Sequence, residues 1–123
     1  MEKQTNHNEN LEKVLKYVSK FSEEQKERLL KLLIQVRDIQ NSNLSFAEKK
    51  AEIKRILWDE QSTRSKLFIG ATLGSLVGLF IFGTGGIGIV ALGGGIGISG
   101  ILAGTAGGVL VASLIQNFEK KEK

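Results

Sequence analysis

The chain has no cysteine, no proline and one histidine, and no charged residue lies between Leu67 and Asn117. Without cysteine, a disulfide, a thiolate metal site and a palmitoyl or prenyl anchor are excluded. The sequence also pairs no nucleophile with a base, clusters no carboxylates and shows no metal-ligand spacing. We therefore expect neither an enzyme nor a metal or cofactor site.

The long uncharged run is typical of a membrane segment, and it holds all 15 glycines. As one helix, Leu67–Ile115 would extend roughly 74 Å, whereas the apolar core of a bilayer is about 30 Å thick. Two crossings with a turn fit this length. We predict helices at Leu67–Thr84 and Ile96–Ile115, joined by a turn over Gly85–Gly95, where glycine weakens a helix by about 1 kcal/mol per residue.

Small residues recur at every fourth position in both predicted membrane helices, so that each helix carries one stripe of them. The stripes consist of Gly70, Gly74 and Gly78 in the first helix and of Gly100, Gly104, Gly108 and Ala112 in the second. Such stripes allow helix backbones to approach closely in lipid, so we predict that these residues form helix-packing surfaces. The stripes can pair within one hairpin or between neighbouring chains.

The second predicted helix has more small surface than a single hairpin needs. Ser99, Ala103 and Gly107 form another small face beside its stripe. This surplus favours a homo-oligomer. Large side chains are then left for lipid or for a neighbouring chain, namely those of Leu73, Leu76, Val77, Leu79, Phe80, Ile101, Leu102, Val109 and Leu110.

Positive charge flanks the apolar run on both sides. The flanking residues are Arg55, Arg64 and Lys66 before the run and Lys120 and Lys121 after it. The positive-inside rule then places both termini in the cytoplasm and the protein in the inner membrane. The first ten residues lack the apolar core of a signal peptide, which agrees with a cytoplasmic N-terminal half.

Residues 1–66 carry 14 basic and 11 acidic side chains, interleaved along the chain. This mixed pattern is typical of a solvated helical surface, and we expect no binding of nucleic acid.

Apolar periodicity predicts three helices in this half: one over roughly residues 9–20, a second over about Glu23–Gln40, and a third that begins after Ser45. Ser22 with Gln25, and Ser45 with Glu48, have the spacing of capping boxes. With neither proline nor glycine before Lys66, we expect the third helix to continue into the membrane as one bent or continuous rod.

The apolar faces of these helices predict a small N-terminal core. Its members are Leu15, Val18, Leu29, Leu33, Val36, Ile53, Leu57 and Trp58. Trp58 could instead be an interfacial anchor on a helix lying flat, and the first two helices could rest on the bilayer through their lysines. Three short helices give a marginal core, which points to self-assembly or to a cytosolic protein regulator.

Two patterns in the run suggest other folds. Gly83–Gly88 and Gly95–Gly100 match G-x-G-x-x-G, but no acid that could hold a ribose occurs from Gln61 through Phe118, so we do not expect a dinucleotide site. Alternating glycine and isoleucine is also compatible with strands, although in lipid only within an oligomeric barrel or a protein-buried loop.

The stretch LFIGATLGSLVGLFIFGTGGIGIVALGGGIGISGILAGTAGGVLVASLI resembles the glycine-zipper hairpins of small two-span membrane proteins, which include bacterial membrane-disrupting toxins and defence-system effectors. The resemblance implies closely packed, often oligomeric helices. We therefore expect an all-α protein: a cytosolic helical domain over 1–66, a transmembrane hairpin over 67–117 and a charged cytosolic tail over 118–123.

Two functions fit this organisation. In the first, the lipid bilayer is the target, and the hairpins of several chains form a pore or permeabilise the membrane. In the second, the hairpin is only an anchor, and the N-terminal helices of an adaptor bind a protein partner. A simple anchor could be made of leucine, which stabilises a helix better than glycine does, and this favours the first function.

Overall fold

The computed structural model describes residues 2–83 and 95–121, and every regular element in these ranges is helical. The expected all-α fold is confirmed for this part of the chain. The helices are α1 (Glu2–Val18), α2 (Glu23–Gln40), α3 (Phe46–Lys54), α4 (Thr63–Phe82), α5 (Gly95–Ala103) and α6 (Thr105–Lys121). A π-helical turn, Arg55–Asp59, extends α3. The predicted turn over Gly85–Gly95 lies outside the described residues except for Gly95, where α5 begins.

Both predicted capping boxes are confirmed. The Gln25 N–H donates to Ser22 Oγ at 3.2 Å, and the Ser22 N–H donates to Gln25 Oε1 at 3.0 Å. Ser45 and Glu48 form the same pair of bonds at 3.2 and 3.0 Å. Each box satisfies backbone donors that have no partner inside the helix, and thereby fixes where α2 and α3 begin.

The expectation that the third helix continues into the apolar run is wrong. The chain turns after the π-helical turn, and α4 begins with Ser62 as its N-cap. The Ser65 N–H donates to Ser62 Oγ at 3.2 Å, while Gln61 Nε2 donates to the Ile56 carbonyl at 2.8 Å. These bonds satisfy backbone groups that the break leaves without helical partners. The chain can therefore end the π-helical turn and begin α4 without a proline or a glycine between them.

Gly83 ends α4 in a conformation that favours glycine. Its φ is +74°, and its N–H donates to the carbonyls of Gly78 and Leu79. A left-handed residue at this position closes the helix with backbone bonds, as in common C-terminal caps.

The second apolar segment is broken rather than continuous. Residues 97–103 and 105–120 form two helical pieces bent by 82° at Gly104, so the prediction of one helix over Ile96–Ile115 is wrong for this structure. The Gly104 N–H donates to the Ile101 carbonyl at 3.1 Å, a tight i→i−3 bond at the end of α5.

Both halves of the chain contribute to one hydrophobic core. Helix α1 packs on α4, α2 packs on α6, and α3 packs on α5. The amphipathic helices α1–α3 therefore bury their apolar faces against the apolar helices α4–α6. The covered apolar helices α4–α6 form the candidate functional site.

Candidate functional site: an apolar segment covered by amphipathic helices

The apolar segment consists of α4, α5 and α6. Among the described helices, α4 alone is long and apolar enough to cross a membrane, with 20 residues and a mean hydropathy of 1.7. At about 1.5 Å per residue it reaches roughly 30 Å, the thickness of a bilayer core. The bent pair α5–α6 passes the same test only as a single span. Core helices of soluble proteins can also pass it, and 44% of the apolar window of α4 is buried inside the fold.

The structure buries two glycines of the first stripe and none of the second. Gly74 and Gly78 are buried, the other four glycines of the stripes are half-buried, and Ala112 is exposed. A Cβ at Gly108 would meet no atom within 4 Å, and one at Gly104 would meet only backbone carbonyls of α5. The stripes remain predicted helix-packing surfaces. The first is partly covered in this fold, whereas the second is open at Gly108 and Ala112.

Helix α3 and its π-helical turn supply the neighbours of one glycine in each stripe. Trp58 Cζ3 lies 3.1 Å from where a Cβ at Gly70 would be, and Lys50 Cε lies 3.8 Å from the same position at Gly100. At these two glycines, the close contact is made by the N-terminal half and not by the opposite stripe.

Trp58 is half-buried on α4. Its ring contacts Gly70, and the Lys66 ammonium lies 5.6 Å from the ring centroid. Lys66 and Gly70 are four residues apart and share one face of α4. In this structure Trp58 packs within the fold, one of the two positions that its sequence context allowed.

Polar side chains of α1 bind the C-terminal end of α4. Asn10 Nδ2 donates to the Phe80 carbonyl at 3.3 Å, and Lys13 Nζ donates to the Gly83 carbonyl at 3.3 Å. The last carbonyls of a helix have no partner inside it, and a cation there is favourable. These bonds attach α1 to the end of the apolar helix.

Helix α2 is attached to the segment at two places. Gln40 Nε2 donates to the Leu102 carbonyl at 2.6 Å, next to the bend. Lys49 Nζ donates to the Gln40 carbonyl at 2.8 Å, which links this contact to α3. Nearer the start of α2, the Arg28 guanidinium lies 5.7 Å from the ring centroid of Phe68 on α4.

The structure places most residues of the predicted N-terminal core in the shared core. Those buried are Val18, Leu29, Leu33, Val36, Ile53 and Leu57, while Leu15 and Trp58 are half-buried. The large side chains expected to face lipid are also mostly inside: Leu73, Leu76, Val77, Phe80, Leu102 and Leu110 are buried, and Val109 stays 46% exposed. The compact fold thus uses the same apolar side chains that a membrane would contact.

The residues that flank the apolar run differ in their surroundings. Arg64 and Lys120 are exposed, and Lys121 is the last residue of α6. Arg55 Nη2 lies 2.6 Å from Glu52, and its other terminal nitrogen contacts Glu60. The hydrogen bond from Arg55 lowers the pKa of Glu52, and the same bond raises the pKa of Arg55. These exposed pairs join the end of α3 to the turn before α4.

Sequence reasoning did not single out Asn10, Gln40 or Lys50, although each contacts the apolar segment. Their positions on amphipathic helices are visible in the sequence, but the helix that they face is not. Within the described ranges no group of three or more metal-ligating side chains comes together.

We compared the chain with protein-family models, with curated proteins and with solved structures, and none of the three comparisons gave a match.

Proposed function

We propose that the protein inserts into the bacterial inner membrane as a two-span hairpin, and that several copies pack through their glycine stripes and permeabilise it. The observation that carries this proposal is the charge-free run of Leu67–Asn117 with its two regular stripes of small residues. Small residues promote helix association in lipid, where the hydrophobic effect does not drive it. The length of α4 supports one crossing, and the combined length of α5 and α6 supports the other.

In this proposal the compact fold is the state before insertion. The amphipathic helices cover the apolar segment through the shared core and through the contacts of Trp58 with Gly70 and of Lys50 with Gly100. Insertion exchanges these contacts for contacts with lipid and with other copies. Both termini remain in the cytoplasm, as the flanking basic residues favour.

Dye release from liposomes tests the proposal. The native chain is compared with the double variant Gly74→Leu/Gly104→Leu, and flotation verifies that both are inserted. We expect the native chain to release dye and the inserted variant to release much less, because leucine prevents the backbones from approaching. Equal leakage by both chains contradicts a pore that depends on glycine packing.

One surface favours a second function, that of a membrane-anchored adaptor. An open groove between α2 and α3 is lined by Asp38, Glu48 and Glu52 together with Leu44 and Ile39. Such a groove suits a basic, partly apolar protein segment. Insertion of the native chain without any dye release favours the adaptor, and the search then moves to what this groove binds.

A further inference from the structure

The bend between α5 and α6 interrupts a stretch that would be long enough to cross a bilayer. Straight, Gly97–Lys120 extends about 36 Å at about 1.5 Å per residue, more than the roughly 30 Å of a bilayer core. Bent by 82° at Gly104, it offers two shorter pieces. Helix α5 has nine residues, and the 17 residues of α6 include charged ones at its end. While the bend persists, this segment cannot be a span.

Gly107 is the residue that the bend requires to be glycine. A Cβ at Gly107 would lie 2.7 Å from the Leu102 carbonyl carbon, and closer still to Leu102 Cα and to the Ile101 carbonyl oxygen. All three are backbone atoms, so they cannot move aside without opening the bend. In a continuous helix, alanine is the most favourable residue, and its methyl group meets no such obstacle.

Gln40 of α2 also binds the backbone beside the bend. Its side-chain amide donates to the Leu102 carbonyl at 2.6 Å. In a straight helix that carbonyl would accept from the N–H four residues later, that of Ala106. Straightening therefore replaces the bond from α2 with a bond inside the helix, which couples the bend to the covering helices.

We infer that the bend at Gly104 is a conformational hinge. In the compact fold it keeps the second apolar segment too short to span, and it straightens when that segment becomes the second crossing. The inference rests on the proposed insertion into a membrane, since the straight form is the one that spans. Two residues keep the segment bent: Gly107, because it has no side chain, and Gln40, through its hydrogen bond to Leu102.

Two neighbouring glycines provide a matched test. Gly107→Ala and Gly108→Ala add the same methyl group to adjacent residues of α6 and gain similar helix propensity. At Gly108 the added methyl meets nothing within 4 Å. Both are made in a Val109→Cys chain, whose only thiol carries an environment-sensitive fluorophore. Val109 is 46% exposed in the compact fold, so its entry into lipid changes the emission.

The labelled chains are mixed with vesicles of phosphatidylethanolamine and phosphatidylglycerol, and the rise in emission is followed with time. We expect Gly107→Ala to insert at least about tenfold faster than the labelled parent. Overpacking destabilises the bent form, and this shifts the equilibrium between the bent and straight forms by about that factor. The Gly108→Ala chain gains the same helix propensity but meets no backbone obstacle, so it should insert more slowly than the Gly107→Ala chain. Equal rates for the two alanine variants overturn the hinge.

Gln40→Met tests the hinge without changing the backbone of the segment, and it decides the matter if Gly107→Ala does not fold. It removes the donor to Leu102 and should also speed insertion, whereas the parent rate in this variant contradicts the coupling. Dye release is measured in parallel. Faster insertion of Gly107→Ala without leakage contradicts the pore and leaves the hinge intact, and no insertion by any chain overturns both.

Discussion

Removal of the Trp58 side chain tests how α3 covers the apolar segment. Complete truncation of a buried tryptophan costs about 3–5 kcal/mol, and Trp58 is half-buried against Gly70. The Lys66 ammonium above its ring adds about 0.5–1 kcal/mol. We therefore expect Trp58→Ala to lower the free energy of unfolding by about 2–3 kcal/mol.

The assay is a urea titration of the chain in solution, followed by far-UV circular dichroism. The control is Phe46→Ala at the first residue of α3, which is 56% exposed. Truncation at such a surface position changes stability by no more than about 0.5 kcal/mol. If Trp58→Ala costs no more than Phe46→Ala, the contact of Trp58 with α4 does not hold the cover in place.

Two further predictions concern single glycines. Gly83→Ala should destabilise the compact fold by about 1–2 kcal/mol in the same urea titration, because φ is +74° and the added Cβ would lie 2.8 Å from Asn10 Oδ1. The control is Gly108→Ala, where the added methyl group has open space. If Gly83→Ala costs no more than this control, the prediction is wrong. Gly74→Leu or Gly104→Leu should lower the oligomer order captured by cross-linking in detergent, and an unchanged ladder of oligomers argues against stripe packing.

Local signals in the sequence were sufficient for the starts of α2 and α3. Ser22 and Ser45 each stand three residues before a glutamine or glutamate, and the bonds that define their capping boxes form between near neighbours. The break before α4 was harder to predict. Ser62 caps a helix without an acidic partner, and a serine in an otherwise helical pattern gives only a weak stop signal.

The bend at Gly104 depends on long-range packing, which periodicity does not report. A glycine every fourth residue fits a straight helix as well as a bent one, and the Gln40 side chain that bonds beside the bend lies 62 residues earlier. The stripes were visible from spacing alone. Which surface covers them was not, because Trp58 and Lys50 belong to a helix whose position is set by the shared core.

Insertion of the covered segment as two spans is the central claim, and two-sided thiol labelling in the membrane tests it most directly. The chain has no native cysteine, so one is introduced at Val90, between the predicted spans and outside the described residues, and one at the exposed Glu24 of α2. A membrane-impermeant maleimide should label Val90→Cys only from the outer face and Glu24→Cys only from the cytoplasmic face. Labelling of both from the same face would contradict a two-span hairpin.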